Sequence, residues 1–232
     1  MQFTGFTQEG LDFLLEIELN NTKIWFEDNR HRWEKYILSP NKAYVEEMGE
    51  HLLPLAPLLK ALPKASGSLF KIYRDTRFSH DKTPMKTKIG IIFWQGPNHR
   101  MSSPCFYLQY KIHEVYIATG LRVFKDGILK SYREYIKVEK NARILHELLE
   151  KYKAKGFKLS EAKYKRLPAG FDKENQYSYL ALYAGLFIYT TYKPNKTFLS
   201  PRVLNKHYKF YDETHELFDW IYEFLLYANQ KD

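Results

Sequence analysis

The chain has 232 residues, 44% of them hydrophobic and 17% aromatic, with one cysteine and a formal net charge of +9. So many aromatic residues exclude a chain that stays disordered, and the lone Cys105 excludes a disulfide scaffold and favours a reducing compartment. No uncharged run approaches the roughly 18 apolar residues of a membrane span, and Met1-Gln2-Phe3-Thr4-Gly5-Phe6 lacks the basic and apolar regions of a signal peptide. The expected location is therefore the cytoplasm, with no membrane partner.

In chain order, residues 1–62 read as helical. Thr7 is placed to cap a helix with the stripe Leu11, Leu14, Leu15 and Leu19, and Asn20-Asn21 stops it. A second helix from about Lys23 presents Trp25, Phe26, Trp33 and Ile37 and should end at Pro40. A third begins near Asn41 and carries Tyr44, Val45, Met48, Leu52, Leu55 and Leu59 at helical spacing, with Pro54 and Pro57 set to kink it or cut it short. The period then changes. Leu69–Tyr73, Ile89–Trp94, Cys105–Tyr110 and Val115–Thr119 read as strands, the last two joined by a link short enough for a hairpin. Helices resume at Asp126, a candidate cap, and continue through Ala142–Tyr152, after which Gly156 sits where a C-terminal glycine belongs. Residues 157–175 look irregular. A short helix near Tyr177–Tyr183, a strand at Leu186–Thr191 and a helix over Thr214–Ala228 complete the chain. Helices, then strands, then helices predict a single α+β domain. Its mainly antiparallel sheet should come from about 69–119 plus a strand near 186–191, packed by N-terminal, middle and C-terminal helices.

The positive charge is concentrated. Residues 1–62 carry 6 basic and 10 acidic side chains, residues 63–111 carry 9 and 2, residues 112–170 carry 14 and 7, and residues 171–232 carry 7 and 8. A local excess of this kind attracts phosphates and other polyanions. Part of it has a plainer reading: Lys151, Lys153 and Lys155 stand at a helix end, where cations meet the negative pole of the helix dipole.

The segment with the most chemistry is Arg74 to Lys88, between the first two predicted strands. Hairpin loops usually run about two to five residues, so fifteen polar ones need a reason. Asp75 lies between Arg74 and Arg77, where a carboxylate can aim a guanidinium, the group suited to bidentate recognition of phosphate or carboxylate. Lys82 and Lys86 add point charges, and Thr76, Ser79, Thr83 and Thr87 could donate to oxyanions. The same residues could equally form an ion-pair network that pins the loop.

The run Lys71-Ile72-Tyr73-Arg74-Asp75-Thr76-Arg77-Phe78-Ser79-His80-Asp81-Lys82-Thr83-Pro84 resembles the signature of a widely distributed bacterial family, the domain of unknown function number 2461. Its pattern reads roughly R-x-x-R-D-x-R-F-S-x-D-K-x-P-Y-K. Phe3-Thr4-Gly5-Phe6, Asn20-Asn21 followed by Trp25-Phe26, and Tyr164–Asp172 are similar to further features of that family. The resemblance strengthens the segment as a site and implies no particular reaction. Lys71 replaces the leading Arg, Met85 stands where a Tyr is usual, and Glu174-Asn175-Gln176 replaces an acidic-His-Pro run. Any chemistry that used that Tyr or His would be absent here.

Other constellations point elsewhere. The eight histidines include no pair at helical metal-ligand spacing, so no metal is expected, and no cofactor is implied. Hydrolase, NTPase and dinucleotide signatures are absent. Cys105, at the head of an apolar strand, reads as a small core residue. The Gln95–Arg100 loop reads as a turn, and the strand aromatics on both faces read as core. The expectation is an anion-binding domain that uses Arg74, Arg77, Lys82 and Lys86, oriented by Asp75 and Asp81. Its ligand would be a phosphorylated small molecule, a nucleotide or a nucleic-acid backbone. Three alternatives stand beside it: an enzyme with Asp75 or Asp81 as general base and His80 as proton shuttle, a non-catalytic nucleic-acid binder, and a structural brace with partner binding elsewhere.

Overall fold

In the computed structural model, which describes residues 2–230 apart from the Asp126 side chain, the first helix begins where a hydroxyl can cap it. Thr7 is extended, and its Oγ1 accepts the Gly10 N–H at 3.0 Å at the head of α1 (Gln8–Leu19). The Asn20 N–H closes that helix on the Glu16 carbonyl. The buried stripe is Leu11, Phe13, Leu14 and Ile17. Leu15 and Leu19, expected on it, face solvent.

The predicted break at Pro40 does not occur. Helices α2 (Lys23–Asp28) and α3 (Arg30–Trp33) lead into a wide π turn over Glu34–Leu38 and on into α4 (Ser39–Leu52). Proline inside an α-helix lacks the N–H for the carbonyl four residues back and collides with it. Here the Ser39 N–H reaches back five residues to Glu34, which widens the turn ahead of the proline. The Tyr36 carbonyl that Pro40 cannot serve accepts the Thr7 hydroxyl at 3.2 Å, and the Ile37 carbonyl accepts Nδ2 of buried Asn41 at 2.6 Å. Gly10 makes this approach possible, because a Cβ there would lie 2.6 Å from the Tyr36 oxygen. Helix α4 stops just before Pro54, in accord with expectation.

Five strands form one antiparallel sheet in the order β1-β2-β3-β5-β4: β1 (Ile89–Trp94), β2 (Cys105–Lys111), β3 (Glu114–Leu121), β4 (Lys158–Leu159) and β5 (Leu186–Tyr192). With α5 (Asp126–Tyr135), α6 (Glu139–Ala154) and α7 (Arg202–Asn229) they complete a single α+β domain. Strands β2 and β3 are the expected hairpin. The predicted strand at Leu69–Tyr73 is instead reduced to isolated bridges, Leu69 to Ala65 and to Ile91, and Tyr73 to Met85. The chain pairs with β1 over 68–70, where the Ser68 carbonyl accepts the Ile92 N–H and the Phe70 N–H donates to the Gly90 carbonyl, and then turns to pair with its own continuation. Gly90 leaves room for this, since a Cβ would lie 3.0 Å from the Phe70 ring. Strand β4 falls in the stretch expected to be irregular, and α7 begins twelve residues ahead of the expected Thr214. Asp126 as a cap lies outside the described residues; the backbone places Lys125 in the extended cap position. Gly156 ends α6 as expected, with its N–H on the Lys153 carbonyl and that of Phe157 on Tyr152, the Schellman pattern.

The contacts group into two compact units. In the first (1–93, 107–117 and 191–210), His207 is fully buried and its two ring nitrogens meet Tyr44 Oη at 2.8 Å and Tyr192 Oη at 2.6 Å. Desolvation first, and then the neighbouring Lys206, hold its pKa down at about 3, so it stays a neutral structural ring. In the second (94–106, 118–190 and 211–232), Phe106 stacks on Phe218 at 4.5 Å, and Leu145, Leu149, Leu186, Ile188, Leu217, Ile221 and Phe224 form the core. Cys105 donates to the Gly120 carbonyl at 3.2 Å, and desolvation pushes its thiol up to about 12, far from nucleophilic.

Gly120 adopts φ +137 within β3, and a Cβ would sit 2.2 Å from the Leu186 carbonyl oxygen. Gly120→Ala is expected to cost at least about 2 kcal/mol, through backbone strain and a contact that cannot relax. Gly156→Ala meets nothing within 4 Å and should cost only about 1 kcal/mol, for its left-handed φ of +79. Thermal unfolding of the two variants checks this ranking.

Candidate functional site

The segment between the Leu69 bridge and β1 folds as a hairpin of its own, residues 71–86. The Arg74 N–H donates to the Pro84 carbonyl at 2.8 Å, and the Lys86 N–H to Ile72 at 2.9 Å, on either side of the Tyr73 to Met85 bridge. Two anchors fasten it. Asn21, just past α1, pairs with Met85 as a strand residue would: its Nδ2 donates to the Met85 carbonyl at 3.0 Å and its Oδ1 accepts the Met85 N–H at 2.8 Å. Met85 itself is buried. Tyr73 packs edge-on against Phe26, and its hydroxyl donates to Glu27 Oε1 at 2.7 Å. Arg30 holds both oxygens of that Glu27 carboxylate and also reaches the Tyr73 hydroxyl.

Each predicted site residue is placed within this hairpin, and most engage one another. Arg77 forks onto Asp75, Nε to Oδ1 at 2.9 Å and Nη2 to Oδ2 at 2.7 Å. Arg74 Nη1 bonds both Asp81 and Thr83 Oγ1, and Asp81 accepts the Thr83 N–H and hydroxyl on its other oxygen. Lys82 Nζ caps the Thr76 carbonyl at 2.9 Å, and Lys86 Nζ the Lys71 carbonyl at 2.7 Å. His80 is exposed. Each of the four cations is engaged within the hairpin, Arg77 and Arg74 by carboxylates and Lys82 and Lys86 by backbone carbonyls.

Both carboxylates are ionised by their partners. Hydrogen bonds from the Arg77 side chain, then from its backbone N–H, hold Asp75 at about 2. Asp81 is lowered chiefly by the Thr83 hydroxyl and N–H, with Arg74 adding less. Glu27 is held at about 2, by Arg30 first and Tyr73 second.

What the hairpin leaves outside is its tip. Phe78 is 94% exposed, and the Arg77 side chain beside it is 77% exposed, its guanidinium 5.9 Å from the ring centroid. Phe78 was not among the expected site residues, and neither were Asn21, Glu27 and Arg30. Asn21 lay within a resembling segment but looked only like a helix stop. The His99 ring caps its own turn, accepting the Met101 N–H at 3.2 Å.

A single α+β domain carrying a self-braced hairpin between its first helices and its sheet is the class of protein these observations define. The chain belongs to the family of conserved hypothetical proteins DUF2461, whose family model matches residues 9–220. No curated protein matches it. Among the described residues no helix is long and apolar enough to cross a membrane, and no group of three or more His, Cys, Asp or Glu side chains could hold a metal ion.

Two outcomes follow from the brace. Carboxylates whose pKa is depressed on folding contribute fully above their unfolded value, near 4, and lose that contribution as pH falls through the folded value. The Asp75 and Glu27 carboxyl carbons should therefore titrate near 2 by NMR, with hairpin amides losing exchange protection only between about pH 4 and 2. An Asp75 midpoint near 4 would contradict the fork. Asn21→Ala strands two backbone groups of Met85 and should cost about 1–3 kcal/mol, with faster exchange at the Met85 amide.

Proposed function

We propose that this chain is an anion-binding domain whose hairpin tip engages the phosphate backbone and bases of a single-stranded nucleic acid. The observation that carries this reading is the adjacent pair at the tip, a nearly fully exposed Phe78 beside an Arg77 aimed by Asp75. Large aromatic side chains are costly to leave in water, and an exposed ring on a braced turn is a surface on which a base can stack, at about 1–3 kcal/mol per base. Asp75 occupies the Nε–Nη2 edge of the guanidinium, so the Nη1 N–H groups point away from it, towards a phosphate. Lys71, Lys82, Lys86 and Lys88 give the same segment its excess charge.

An extended polyanion suits this site better than a small metabolite, because small ligands are held in concave pockets and these side chains project outward. The enzymatic alternative gains no support. A carboxylate held near 2 is too weak a base to take a proton efficiently at neutral pH, and Asp81 is lowered in the same direction.

Fluorescence anisotropy with a labelled single-stranded oligothymidylate tests the proposal. Affinity should fall steeply with salt as counterions are reabsorbed. Phe78→Ala should weaken binding roughly tenfold and Arg77→Glu should abolish it, both with unchanged circular dichroism. Binding by either variant at the parent's affinity, or a flat salt dependence, would overturn it.

A further inference from the structure

A second basic cluster lies far along the chain from the hairpin, within the second unit, and it is concave. The end of α5 and the turn Pro168–Phe171 line an open cavity of about 240 Å³. Lys130, Arg133 and Lys137 line it, with Glu134 the single carboxylate, and Leu129, Pro168, Ala169 and Phe171 supply apolar walls. Lys130 and Arg133 stand one turn apart on α5, and Lys137 follows in the turn just past its end, so that all three line the cavity.

Arg133 and Lys137 are held in place. The Arg133 guanidinium lies 4.8 Å over the Tyr164 ring and points Nε and Nη2 at the Ala181 carbonyl, at a long 3.4 Å each. Lys137 Nζ bonds Glu134 at 2.7 Å and lies 5.8 Å over the Phe171 ring. Gly170, at φ +86, turns the chain over Lys137, whose Nζ would be 3.5 Å from a Cβ there. The contrast with α6 is informative. Its lysines 151, 153 and 155 are each matched to a glutamate, Glu216, Glu150 and Glu213, as expected of a solvated helix face. Among the described residues lining the α5 cavity, three cations face one carboxylate, and a concave wall that concentrates positive potential favours an anion.

We propose that this cavity is a binding site for a small phosphate monoester bearing a planar or apolar group, distinct from the hairpin and independent of the function proposed for it. Charge and shape choose the class. Three cations suit a dianionic phosphate, with Arg133 able to meet two of its oxygens. The apolar wall of Phe171, Pro168 and Leu129 suits a ring or short alkyl portion. The volume corresponds to roughly eight waters, below the roughly 300 Å³ at which sites for drug-sized ligands begin, which suits a small occupant.

Isothermal titration calorimetry of the full chain with phenyl phosphate, inorganic phosphate and phenol provides the test. Phenyl phosphate should bind several-fold more tightly than inorganic phosphate, and phenol should not bind measurably. Lys130→Gln and Lys137→Gln alter exposed side chains and should each weaken phenyl phosphate by about fivefold or more, with thermal unfolding unchanged. Arg133→Gln should weaken it further, but it also removes the contacts to Ala181 and Tyr164, so the two lysine variants decide. Arg77→Glu should leave phenyl phosphate affinity unchanged, which separates this site from the hairpin. No binding of phenyl phosphate, lysine variants that bind like the parent, or an equal loss in Arg77→Glu would overturn the proposal.

Discussion

A polar segment as long as 71–86 can keep a fixed shape only if its charges and backbone groups find partners, and its two carboxylates, four of its cations and several of its backbone groups find them within the segment. Pro84 and Ile72 carbonyls take the Arg74 and Lys86 amides, Lys82 and Lys86 cap carbonyls, and Asp75 and Asp81 take Arg77 and Arg74. Exposed ion pairs contribute little stability singly. Their value here is conformational, because each fixes a long side chain or a turn, and together they leave Arg77 and Phe78 projecting. The anchors at Asn21 and at the Glu27–Arg30–Tyr73 cluster transmit that rigidity to the first helices. Every functional proposal about the hairpin depends on this arrangement.

The same economy of partners explains the helical N-terminal segment. A proline that should have ended a helix is carried through because a π turn, a threonine hydroxyl and an asparagine amide serve the carbonyls it disrupts. Thr7 thereby caps one helix and mends another.

Much of the fold was legible because its signals are local. Thr7 and Gly156 are helix-end residues whose chemistry works within a few positions, and the β-branched and aromatic run at Ile89–Trp94 is a strand wherever it is placed. What was not legible depended on distant partners. Pro40 is tolerated in part because Thr7 lies against Tyr36, and Leu69–Tyr73 leaves the sheet because its continuation pairs with Met85, which Asn21 anchors. The early turns of α7 were hidden because buried His207 interrupts the apolar stripe, and its polarity is satisfied by Tyr44 and Tyr192. At the site, the ionic residues were readable as a set, and whether they bound a ligand or one another was not. The pairing of Asp75 with Arg77 and Asp81 with Arg74 is a matter of geometry. Phe78 went unweighed because an aromatic in a sequence reads first as core.

Three groups within the chain's positive charge thus have different meanings: lysines at the end of α6 matched to glutamates, a braced hairpin with an exposed tip, and three cations around a cavity beside α5. The central claim is that the hairpin tip is the contact surface for nucleic acid. An amide-resolved NMR titration with a single-stranded oligonucleotide tests it most directly. The account predicts shifts concentrated at Thr76–His80 and the Phe78 ring, fading as salt is raised; shifts elsewhere with these amides unmoved would contradict it.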